Sequence, residues 1–340
     1  MSHDLTIHNG VARFADNERS GPAWHKLCKQ VLNGQNATEA WERIGNGITY
    51  HKLPLGVQGK SGYCPFPGYY GMCSIVAGHH DGGEVVNGHT LYSLGTVHDS
   101  YVPLFAPEAV QVIDRAINGM AVDTLGLLGK SGHTLFCSLA LPHFDVAGDA
   151  IAGYLNIGAP MNGTDAVWSR TGVVRMVCAN TMVLAMSEHT DHAFSSRHYG
   201  KIAERLEKWL RTILDSQGHV LETIKEACTL LAMSSCSEAT LKNGVLSTVY
   251  PYPTRPEQEA LIEPWEKACL KLAERRTVVS HLFESSPTQT TATTGTLWGA
   301  YQSVVEYEDY YRPHATAMSK VFGMGKERKE AAFSACMSLV

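Results

Sequence analysis

What this chain lacks sets its limits. Its longest uncharged runs include Thr134 to Pro142 and Met176 to Ser187, well short of the roughly 20 residues a spanning helix needs, so no membrane contact is expected. The opening "MSHDLTIHNG" carries Asp4 and no apolar core segment, which predicts a cytoplasmic protein. C-x-x-C spacing is missing from all nine cysteines, and an odd number cannot pair completely. Buried free thiols in a reducing compartment are expected, not a disulfide framework or a thiolate zinc site. Excess positive charge is missing too. The net charge of −5 and pI near 6.3 exclude a duplex-DNA footprint over the whole surface, though not a local basic stripe. No internal repeat is found. What is present is the ordinary balance of a folded protein, 44% apolar and 18% charged. A length of 340 residues suits one elaborate domain with a helical extension, or two closely packed parts.

Periodicity divides the chain. Residues 1–22 are polar and read as a flexible arm. A short helix is predicted from Thr38, a strand over 48–55, then a long Gly/Pro/Tyr-rich loop, "GVQGKSGYCPFPGYYG". Strands follow over 72–77 and 90–96, and a helix over 106–120 with Pro107 in its first turn and Ala109, Val112, Ile113, Ala116 and Ile117 on one stripe. Further strands are predicted over 122–128, 133–141, 151–157, 165–169 and 172–178, with "GKSG" as a hairpin turn. The glycine before that Gly-Lys-Ser stands too close for a phosphate-binding loop, which needs four intervening residues. Helices are predicted over 180–187, 199–214, 219–233, 256–275, 297–311 and 326–339, with Asn180 capping the first. The expected organisation is an α+β core over 23–180, a helical part over 181–283, a polar linker or loop over 284–296, and helices over 297–340 that pack back on the core or on a neighbouring subunit. The fold class is α+β: a curved, mainly antiparallel sheet with a β-β-β-α block, followed by a helical C-terminal half.

Four stretches together carry a family resemblance: "PAWHKL" (22–27), "GTVHDSYVPLFAPEAVQVID" (95–114), "RMVCANTM" with "RHYGKIAERL" (175–182 and 197–206), and "TLWGAYQSVVEYEDYY" (296–311). They resemble the phage/plasmid-like proteins of domain-of-unknown-function family 932. The resemblance implies association with the DNA metabolism of mobile elements. At the level of fold order, the β-β-β-α block is also similar to phage single-strand annealing proteins.

Lys201, Arg205 and Lys208 step by four and three and share one helix face, with Ile202, Leu206, Trp209 and Ile213 opposite. Arg197 and His198 precede that helix, and Arg170 and Arg175 lie on the strands leading to it. Phosphates could track these cations while bases stack on Tyr69 and Tyr70. The plainer reading is a solvated face interleaved with Glu204 and Glu207. Cys178 has no base at a nucleophile's spacing and is expected to pack, whereas Arg175 in an apolar strand needs an anionic partner. His189, Asp191, His192 and His198 offer nitrogen and oxygen donors for a divalent metal, although their spacing matches no established zinc signature.

The expected function is a mobile-element accessory protein that binds single-stranded nucleic acid and anneals it as a homo-oligomer, without catalysis or a required cofactor. Two alternatives stay open. One is a metal-dependent hydrolase using the histidine cluster. The other is a non-enzymatic, host-defence-countering oligomer with the aromatic C-terminal helix in its interface.

Overall fold

The computed structural model describes residues 6–8, 11–17, 30–80, 82–129, 131–175, 180–182, 193–313 and 323–340. It is an α+β protein with two larger curled sheets, a two-stranded sheet near the N-terminus, and a helical half from residue 202 onward.

Near the N-terminus lie β1 (Ile7–His8), β2 (Val11–Ala12), β3 (Phe14–Asn17) and β4 (Gln30–Leu32). The expected loose arm is therefore corrected. Phe14 and Ala15 are buried, and β3 pairs with the main sheet. Phe14 lies over Gly126, where a Cβ would meet its ring at 1.9 Å. Helix α1 (Ala37–Ile44) starts one residue before Thr38, with Asn36 and Glu39 forming a reciprocal cap. Thr38 instead donates its amide and hydroxyl to Asp114.

The smaller sheet has the order β5–β6–β8–β7, from β5 (Ile48–Gly59), β6 (Gly62–Ala77), β7 (Glu84–Val86) and β8 (His89–His98). Here the predicted long loop is overturned: its residues form a β5–β6 hairpin that turns at Lys60 and Ser61. Glycine and proline hid the strand signal, yet each sits where a hairpin tolerates it. A Cβ on Gly56 would meet the Cys64 carbonyl at 2.2 Å, beside the irregularity at Leu55. Helix α2 (Ala106–Ile117) follows four strands where three were predicted, the short β7 being the addition, and buries the predicted stripe.

The larger sheet contains β9 (Thr124–Leu128), β10 (Thr134–Val146), β11 (Asp149–Pro160), β12 (Val167–Arg175), β13 (Asn180–Met182) and β14 (Ala193–Ser196). Its order is β13–β12–β11–β10–β9–β3–β4, with β14 also on β12, and only the β3–β4 pairing is parallel among the described strands. The two strands predicted over 165–178 are one. Asn180 is not a helix cap either, because it pairs with Arg175 across an antiparallel ladder. Since β14 rejoins the sheet, the expected boundary after residue 180 falls inside one architectural unit.

Helix α3 (Ile202–Met233) fuses the two helices predicted on either side of Gly218. One glycine in a helix costs about 1 kcal/mol. Burial of Leu210, Ile213, Val220, Leu221 and Ile224 outweighs it. Short helices α4 (Glu238–Thr240) and α5 (Leu246–Val249) lead to α6 (Ile262–Ser285), α7 (Leu297–Glu306) and α8 (Met324–Met337). Every residue of α7 is buried, and the Trp298 indole donates to Asp149 at 3.0 Å. Helix α7 is therefore consumed inside the chain, while Tyr310 and Tyr311 beyond it are about half exposed.

The polar 284–296 segment is no loose tether. Ser286 and Thr288 donate hydroxyls to Glu306, and a Cβ on Gly299 would meet the Thr293 carbonyl at 1.8 Å. After α7 the helix widens into a π turn at Tyr307–Tyr311. Glu308 there meets Arg312 at 2.9 Å and Arg328 at 3.1 Å, while Asp309 pairs with the buried Lys329. The acidic residues of this helix thus serve internal ion pairing.

Candidate functional site

Lys208 is exposed on α3, and Lys201, one residue before it, is exposed and paired with Glu204 at 2.9 Å. Lys208 lies seven residues along, roughly 10 Å at the helical rise. Arg205 takes a different role from the one its spacing implied. Its guanidinium donates to the carbonyls of Tyr199 (2.7 Å) and Arg197 (3.2 Å) and to the Ser196 hydroxyl (3.2 Å), and stacks 4.5 Å from the Tyr199 ring centre. It fastens the turn that carries Arg197 while keeping its positive charge.

That turn reaches the smaller sheet through His198. The His198 ring stacks on Tyr101 with centres 4.7 Å apart, and its carbonyl accepts from Val102 at 3.0 Å. Burial lowers the imidazole below its usual pKa, partly offset by the backbone of Val102 and Pro160. Tyr101 in turn accepts from Lys52 through its carbonyl at 2.7 Å. Lys52 also donates to the Asp99 carbonyl at 2.9 Å and lies 4.7 Å over the Tyr70 ring. Tyr69, 52% exposed, meets His98 edge-on at 5.8 Å. The result is one run of contacts from Tyr70 through Lys52, Tyr101 and His198 to Tyr199, Arg197 and Arg205; Tyr69, the neighbour of Tyr70 in β6, turns with His98 to the opposite face of the strand. Behind the run, Phe194 of β14 packs against Trp209 at 5.5 Å and sets the angle of α3 on the sheet.

Of the sequence-predicted residues, the structure brings Tyr70, Arg197, Lys201, Arg205 and Lys208 to this run or its continuation, whereas Tyr69 faces the other way. Arg170 pairs with Ala193 at the far end of β14 from Arg197, roughly 13 Å away along the strand. Arg175 is placed five residues farther along β12, about 16 Å beyond, and does not join the group. His189, Asp191, His192 and Cys178 lie outside the described residues; His198, the fourth metal candidate, is 4% exposed beneath Tyr101. Sequence reasoning missed Lys52, His98, Tyr101 and Tyr199. His98 and Tyr101 sit within the 95–114 stretch that carried the resemblance, and Tyr199 within the 197–206 stretch. No pattern marked Lys52.

Elsewhere, a recess beside Glu306 lined by Ser286, Thr288, Gln302 and Ser303 has room for about one water molecule, too little for a substrate. Burial raises the thiols of Cys137, Cys228 and Cys336, so these pack and do not react. Among the described residues no helix is long and apolar enough to cross a membrane, and no cluster of metal-ligating side chains forms.

No curated protein and no solved structure matches the chain. A family model does: the domain of unknown function DUF932 matches residues 93–332, which take in β8's last turn of sequence, Tyr101, His198, all of α3 and the buried α7. That span is well over half of the sequence, and the chain belongs to the DUF932 family.

Proposed function

We propose that the protein binds single-stranded nucleic acid along the surface from Tyr70 to Lys208 and, as an oligomer, brings complementary strands together. The observation that carries this reading is the composition of that surface. Exposed Tyr199 stands among the exposed cations Arg197, Lys201 and Lys208, and Lys52 over Tyr70 continues the run. Any base offers a π face to Tyr199, and stacking of this kind contributes about 1–3 kcal/mol per base. Arg197, Lys201 and Lys208 supply phosphate contacts without demanding a duplex groove. Further support comes from the resemblance to phage- and plasmid-borne proteins and, as an analogy only, from the predicted β-β-β-α order, which is similar to that of phage single-strand annealing proteins.

Fluorescence anisotropy of a labelled oligonucleotide across a salt series tests it, with duplex as control. With about three phosphates engaged, log affinity for the single strand falls with log salt at a slope near −2. Tyr199→Ala weakens binding by roughly 5- to 150-fold, matching one lost stack. Lys208→Ala flattens the slope by about 0.7. Absence of single-strand binding at low salt overturns the proposal.

A further inference from the structure

The β5–β6 hairpin outgrows its sheet. β8 pairs with β6 only from Tyr69 onward, so residues before it form a two-stranded ribbon, and β5 is an edge strand throughout. Its tip is exposed on both faces. A two-stranded ribbon with both faces in water is marginally stable by itself. Edge strands that stay solitary usually carry charges that forbid pairing. This one does not: Lys60 is the only charged residue between Leu53 and Gly71.

The side chains form an apolar face. Val57 stands opposite Cys64, and Phe66 follows two residues on, hence on the same side. Val57 is 53% exposed, Phe66 is 50% exposed, and Cys64 is exposed beside them. Tyr63 lies along the ribbon instead, with its hydroxyl donating to the Pro54 carbonyl at 2.6 Å. The ribbon also precedes the residues that match the family model.

We propose that this tip is where two copies of the chain meet, apolar face on apolar face about a two-fold axis. Charge selects the occupant. A nucleic acid would find a single cation there, too few to neutralise a phosphate backbone. An uncharged patch, by contrast, lets two copies of a chain with net charge −5 approach without like-charge repulsion. A two-fold contact requires the patch to complement itself, which an apolar surface does and a charged one does not. One face of the ribbon, about five residues long and two strands wide, spans roughly 17 by 10 Å, far below the standard interface of about 800 Å² per partner, so the association is weak and concentration-dependent. This inference rests only on the oligomeric part of the proposed function.

Sedimentation velocity of the full chain, free of nucleic acid, over roughly 1 to 100 μM tests it. The expected mass rises from one chain to two in the wild type. The Val57→Glu/Phe66→Glu variant stays at one chain across the range. Alkylation of Cys64, followed by peptide mass spectrometry, slows with concentration in the wild type and not in the variant. A wild type of constant mass, or a variant that associates like the wild type, overturns the proposal. If the variant does not fold, Cys64 decides alone: alkylation independent of wild-type concentration also overturns it. Because no oligonucleotide is present, loss of the nucleic-acid reading leaves this outcome untouched, and the converse holds.

Discussion

Replacing Lys329 by methionine tests how the C-terminal helices are held. The Lys329 ammonium is fully buried on α8 and pairs with Asp309, itself 7% exposed in the π turn after α7. Methionine keeps most of the volume and removes the charge, so the Asp309 carboxylate stays buried without its ammonium. Breaking a buried pair from one side costs about 3–5 kcal/mol, because desolvation of the surviving charge is no longer offset. At about 2 °C per kcal/mol for a chain of this size, melting falls by roughly 6–10 °C. The Lys329→Met/Asp309→Leu double variant removes both charges and is less destabilised than Lys329→Met alone. Differential scanning calorimetry of the three proteins reads both effects. A neutral Lys329→Met, or a double variant with strictly additive losses, refutes the reasoning.

Gly218→Ala is expected to stabilise the protein by about 1 kcal/mol, since the glycine lies inside α3 with open space where a Cβ would stand; a lower urea midpoint would show that the glycine is needed. His198 predicts a pH dependence for this run of contacts. Burial holds its folded pKa below the usual 6.5, so under pH 6.5 the unfolded chain takes up a proton that the folded chain refuses. Stability therefore declines as pH falls below about 6.5 and is flat with respect to this group above it. Melting curves of wild type and His198→Gln over about pH 5–8 should differ in slope only on the acid side.

Periodic elements were legible because one repeat governs each. The α2 stripe follows the helical period through Ala109, Val112, Ile113 and Ala116, and all four are buried as that period requires. Long-range compensation was not legible. Phe14 looked like an isolated aromatic in a polar arm until Gly126, its partner on the neighbouring strand β9, made room for its ring. Gly218 broke the local helix signal, although burial along the rest of α3 overrules it. In the candidate site, the Lys201 and Lys208 spacing could be read directly. The stacking of Tyr101 on His198 could not, because it joins two sheets whose meeting no local pattern encodes. Arg205 shows the limit of spacing arguments: it lies where the helical repeat puts it, yet much of its donor capacity holds its own turn.

The buried position of α7 has a consequence for how the protein is made. Trp298 bonds to Asp149 across 149 residues of sequence. At translation speeds of about 5–20 residues per second, the first partner waits roughly 7–30 s before the second is synthesised. Throughout that interval the space that α7 fills stands open, and the apolar walls it will cover face water. Native contacts of such sequence separation also slow the final search. A chain whose core closes this late is expected to expose those apolar walls during synthesis, so its soluble yield should rise when chaperones are co-expressed.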